Sequence, residues 1–139
     1  MNIPVLIVAI ITVTAFLAHT FVGTKESLSV SPEKLADKNS LDNFDVLEKN
    51  WIQSLCAFQM ITVDFLILTV LLFVIALTDY ISFERPLTMG LAVLYFLWGI
   101  AWVIQLSLLT KTRKNYLLLA QWLFWFVSAG LLYWGARIM

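Results

Sequence analysis

The residue with the most chemistry to offer is Asp64. It is the only ionisable side chain between Gln59 and Asp79, inside the apolar stretch WIQSLCAFQMITVDFLILTVLLFVIALTD, Trp51 to Asp79. About 12 residues separate it from either end of that stretch, close to the midplane of a bilayer. A charge is costly there, so such a carboxylate is read as a proton carrier or as the counter-ion of a cationic ligand. The competing role is structural, an interhelical hydrogen bond to Thr12 or Ser128. His19 is the lone histidine, and its imidazole suits hydrogen bonding or proton handling. A haem held by two axial histidines would need a second chain. Tyr95, Trp98 and Trp102 recur at helical spacing, and their ring faces could cradle an organic cation. Gln53, Gln105 and Gln121 are further polar side chains inside apolar runs. No nucleophile, base and orienting acid share a depth, so a hydrolase triad lacks its parts. The single cysteine, Cys56, excludes an intrachain disulfide and a multi-cysteine metal site. Neither a metal-ligand spacing nor a cofactor motif is present, and the chain leans away from being an enzyme.

These side chains have to be positioned by membrane helices. The composition is 61% hydrophobic and 13% charged with a mean hydropathy of +0.89, more apolar surface than 139 residues can bury as a soluble domain. The excess falls into four runs, which predict an all-α integral membrane four-helix bundle forming a single membrane domain. The spans are expected at about 3–23, 51–77, 87–109 and 116–135. Pro4 fits the first turn of the first, and Trp51 is an interfacial anchor for the second. The polar segment 24–50 carries four Lys and six acids and reads as an amphipathic linker, with helix starts at Ser31-Pro32-Glu33 and Ser40-Leu41-Asp42. On the second span Gln53, Ala57, Met60 and Asp64 fall within about 40° of one another, a polar track climbing to the carboxylate.

Seven of the nine Lys and Arg lie in segment 24–50 and in TKTRKN, 110–115. The positive-inside rule therefore predicts a cytoplasmic loop 24–50 and both termini on the non-cytoplasmic side. With that orientation His19, Gln53, Gln105 and Gln121 share the cytoplasmic third, while Asp64, Thr12, Tyr95, Trp98 and Ser128 share the middle. Lipid cannot satisfy such groups, so the helices are expected to turn them toward one another around a polar, aromatic pocket open to the cytoplasm. Balanced charge and the lack of a dense basic tract exclude nucleic acid as a partner.

The segment Ala15–Glu26 (AFLAHTFVGTKE), with His-x-x-x-Gly-x-x-Glu at its end, resembles the first span of a group of small bacterial four-span membrane proteins. Trp51 matches the Trp of the Trp-His pair opening their second span, with Ile52 in place of the His. The resemblance covers about half the chain and implies architecture and a bacterial inner membrane, with no defined activity. Small multidrug exporters share the outline of four spans and one embedded carboxylate, but carry it on their first helix and lack a long first loop. Glutathione- and eicosanoid-metabolising membrane enzymes share the topology, without their Arg-x-x-x-Asn-x-x-Glu signature appearing here.

The sequence thus predicts a protein that binds or moves a small amphipathic or cationic molecule with proton exchange at Asp64. Such a carrier would be at least a homo-oligomer, since one four-helix bundle has a narrow interior. A second reading is a non-catalytic accessory subunit docking a larger membrane complex through 24–50. A third is a membrane enzyme using a soluble cofactor at His19 and the glutamines. The lipid bilayer is the one partner common to all three.

Overall fold

The computed structural model describes residues 1–35, 43–109 and 112–139, and among those residues every regular element is a helix, with no strand. In chain order the elements are α1 (Ile3–Ala18), a π-helical turn (His19–Gly23), α2 (Thr24–Ser29), α3 (Pro32–Leu35), α4 (Phe44–Leu77), α5 (Glu84–Leu109), α6 (Arg113–Leu118) and α7 (Gln121–Arg137). Three continuous helices, Ile3–Ser29, Phe44–Leu77 and Glu84–Leu109, are long and apolar enough to cross a membrane. The protein is therefore a helical membrane protein.

The fourth expected span differs. The run 116–135 does not form one helix, because the chain leaves helical geometry at Leu119 (φ −107°, ψ 49°) before α7 begins at Gln121. With 17 residues, α7 is about 26 Å long, short of a hydrocarbon core of about 30 Å. The break frees backbone carbonyls that would otherwise lack partners. Two indole N–H groups take them: Trp122 Nε1 donates to Tyr116 O at 3.0 Å and Trp102 Nε1 donates to Leu119 O at 3.1 Å. The other boundaries move outward. Helix α4 starts at Phe44, so Asp45, Glu48 and Lys49 belong to a helical extension ahead of Trp51. The first span continues to Ser29. The helix start read at Ser31-Pro32-Glu33 is α3, whereas Ser40-Leu41-Asp42 lies outside the described residues.

The chain divides into two compact units, each considered separately: Met1–Ala9 with Leu71–Met139, and Ile10–Val70. In the first unit α5 and α7 pack as an antiparallel pair. Gly99 on α5 lets Phe126 close in, since a Cβ there would stand 2.8 Å from the ring. Deeper along the pair Tyr95, fully buried, meets Trp125 edge-on at 5.2 Å, and Trp98 meets Trp125 at 4.9 Å. The start of α1 is clasped by Asn2. Its Oδ1 caps the helix by accepting from Val5 N–H at 3.2 Å. Its Nδ2 donates to Gly135 O at 3.0 Å, and its backbone N–H donates to Ala76 O at 2.9 Å. One residue thus ties the first turn of α1 to the last turns of α4 and α7, and satisfies two terminal carbonyls.

In the second unit the first span and α4 form an antiparallel hairpin. The α4 residues facing inward are Trp51, Leu55, Phe58, Thr62, Phe65 and Thr69, alternately four and three apart, the spacing of a coiled-coil seam. At the outer end of this hairpin Trp51 Nε1 donates to Ser27 O at 3.1 Å, and Lys34 Nζ takes the terminal carbonyl of Leu28 at 2.9 Å.

Candidate functional site

His19 sits on the π-helical turn. A π turn holds one extra residue, which rotates the side chains that follow it relative to an unbroken α-helix. Thr20 Oγ1 donates to Phe16 O at 2.8 Å beside it, a local bond that competes with the regular ladder. The imidazole stacks on Phe58 with ring centroids 3.6 Å apart and planes 11° from parallel, and Phe65 meets it edge-on at 5.6 Å. Gly23 lines the same ring of Phe58: a Cβ at position 23 would lie 2.6 Å from Phe58 Cζ. Phe58 is thereby held by His19 on one face and by Gly23 at the tip of the ring.

Both hydrogen bonds of this cluster are satisfied at once when His19 carries its proton on Nδ1. His19 Nδ1 and Thr62 Oγ1 are 2.9 Å apart, and Thr62 Oγ1 donates its one hydrogen to Phe58 O at 3.2 Å. With that hydrogen committed, Thr62 accepts from Nδ1–H and the Nε2 lone pair is left as the acceptor. Gln59 Nε2 donates to Thr24 Oγ1 at 3.2 Å in the same hairpin. Phe58, Thr62 and Phe65 were not singled out in the sequence, although their 4-3 spacing opposite a histidine span carries the signal.

Asp64 lies elsewhere on α4. It is exposed, as are Gln53, Ala57, Met60 and Ile67 around it, and the inward seam occupies the opposite side of the helix. Met60 is 70% exposed and Ile67 57%. The polar track expected to climb an interior is an outward-facing stripe. Gln105 on α5 and Gln121 at the start of α7 are exposed too. Among the described residues the buried polar side chains are hydroxyls: Thr12, Ser31, Thr62, Thr69, Thr88 and Ser128. The reason is size and a small demand for partners: one hydroxyl, unsatisfied at Thr69, Thr88 and Ser128, costs less to bury than a carboxylate. A threonine or serine can bond the carbonyl one turn back on its own helix, as Thr14 does to Ile10 and Thr78 to Val74. A carboxylate or an amide has too many groups to satisfy that way.

Thr12 and Ser128 are fully buried, as a structural role requires, but Ser128 Oγ has no hydrogen-bond partner and so does not make the contact expected of it. Thr88 Oγ1 is in the same position. Of the expected aromatic cradle, Tyr95 and Trp98 adjoin at 5.8 Å, but both pack against Trp125 and Tyr95 also against Phe124. Trp102 is committed through its N–H to Leu119 O. Among the described residues no group of three His, Cys, Asp or Glu side chains is placed to hold a metal ion. No family model, curated protein or solved structure matches this chain.

Proposed function

We propose that this protein is a non-catalytic membrane subunit whose working surface is the outer face of α4, where it engages another membrane-spanning helix. The observation that carries this reading is the placement of Asp64: exposed, on an apolar face, thirteen residues from both Trp51 and Leu77. That is about 20 Å from each end of the apolar stretch. On insertion scales an aspartate at the helix centre costs about 2.5–3.5 kcal/mol. A cost of that size is offset when a neighbouring helix covers the group and supplies donors. Small Ala57 on the same face permits close approach. In this reading the chain lies in a bacterial inner membrane with segment 24–50 on the cytoplasmic side, which the distribution of Lys and Arg supports.

A photo-activatable residue placed at Met60 or Ile67 in intact membranes tests it. One protein adduct of defined mass is the expected product at both positions, with lipid adducts alone at Leu97, which is 53% exposed on α5. Lipid adducts alone at Met60 and Ile67 would refute it.

The exposure of Asp64 also suits a second reading, a proton-coupled carrier of small amphipathic cations in which a further copy completes the pocket. That reading predicts pH-dependent uptake into vesicles that Asp64→Asn makes pH-independent or abolishes, with no protein partner needed.

A further inference from the structure

The chemistry of the outer α4 face defines what should cover it, and this step rests on the docking reading above. We propose that the docking helix belongs to a different membrane protein and carries a lysine or arginine at mid-bilayer depth, paired with Asp64. Asp64 is the only charged side chain on α4 between Lys49 and the helix end at Leu77. No Lys or Arg occurs in any of the four apolar runs, 3–23, 51–77, 87–109 and 116–135. A second copy, inserted in the same orientation, therefore offers no cation at any depth. Paired in register through this face, it would set a second carboxylate against the first, and like charges in low dielectric repel strongly unless a proton is taken up. A basic side chain removes the charge and brings two or more donors in one step.

The surface beside Asp64 suits a helix. A shallow groove of 420 Å³ runs along α4, lined by Leu55, Cys56, Gln59, Met60 and Val63. Its lining is almost wholly apolar and lies on the Trp51 side of Asp64, so it can take side chains from the turns on that side of the basic residue. Gln53, about three turns from Asp64 on the same stripe, offers a second polar contact nearer the membrane edge.

The test uses the full chain in lipid vesicles with a fluorophore at its C-terminus and synthetic Leu/Ala transmembrane peptides carrying an acceptor. One peptide has a single central lysine, one has it moved two turns toward an end, and one has none. The central-lysine peptide should associate about tenfold more tightly than the other two, or about 1.4 kcal/mol. Asp64→Asn should reduce it to the level of the lysine-free peptide, with helicity by circular dichroism confirming the fold. Asp64→Lys should instead favour a peptide with a central aspartate. Equal association of all three peptides, or no change in Asp64→Asn, overturns the proposal. Self-association that excludes the peptides and is lost in Asp64→Asn makes a second copy the occupant, which overturns the proposal while docking stands. If neither peptides nor a second copy associate and Met60 cross-links only to lipid, the docking reading falls with it.

Discussion

Replacing Gly23 with alanine adds a Cβ that would meet Phe58 Cζ at 2.6 Å. Ordinary carbon contacts lie near 3.5–4.0 Å, so the overlap is about 1 Å. The ring has little room to yield, because one of its faces already stacks on His19 at 3.6 Å. Overpacking of this kind costs about 1–3 kcal/mol, against a gain of about 1 kcal/mol from replacing glycine in a helix. The net expectation is a loss of up to about 2 kcal/mol. Gly90 on α5 and Gly130 on α7 provide internal controls, since a Cβ at either meets nothing within 4 Å. Alanine there should be neutral or stabilising by up to about 1 kcal/mol. The three variants can be compared by reversible unfolding in mixed micelles, followed by circular dichroism. Adding Phe58→Leu to Gly23→Ala should recover part of the loss, because a smaller, flexible side chain opens the space. The reasoning fails if Gly23→Ala is as stable as Gly90→Ala, or if Phe58→Leu adds its own cost in full to the Gly23→Ala background.

Four further outcomes follow from the same geometry. Thr62→Val leaves His19 Nδ1–H without its acceptor and should cost about 1–3 kcal/mol in the same unfolding assay. Ser128→Ala removes a buried hydroxyl that has no partner, so it should be neutral or stabilising by about 1 kcal/mol; a clear loss would show that the hydroxyl is bonded. Gly135→Ala would place a Cβ 2.7 Å from Val5 Cγ2 and 3.0 Å from Asn2 Oδ1, destabilising the Asn2 clasp by about 1–3 kcal/mol. Its effect should be less than additive with that of Asn2→Ala, read as a double-mutant cycle. Trp102→Phe removes the donor to Leu119 O, and hydrogen exchange of the amides at 116–123 should quicken while that of α4 stays unchanged.

Much of the fold was legible in the residues. The apolar runs marked the membrane helices because a span must be long, apolar and internally hydrogen-bonded, whatever it packs against. Pro32 started α3 where a helix start was read, and the second and third spans fell inside observed helices. The fourth run misled because its composition does not reveal a break. Leu119 and Ala120 are helix formers in isolation, and the carbonyls freed there are satisfied by indoles from Trp102, on another helix, and Trp122. The periodicity of α4 was equally visible, since Gln53, Ala57, Met60 and Asp64 do share a side. What periodicity cannot state is which side of a helix is the interior when both sides are apolar.

That last point divides the two sources of information. Residue order alone determined that the chain is a helical membrane protein, that one carboxylate lies midway along a span, and that no basic side chain lies within an apolar run to answer it. Each of these follows from hydropathy and from the fixed rise of a helix, with no reference to neighbours. Only the tertiary structure decided that Phe58, Thr62 and Phe65 face the first span and that Asp64 therefore points away from it. The inward face of α4 was taken by side chains that stack and by small hydroxyls, and the one carboxylate of the span was left on the outside.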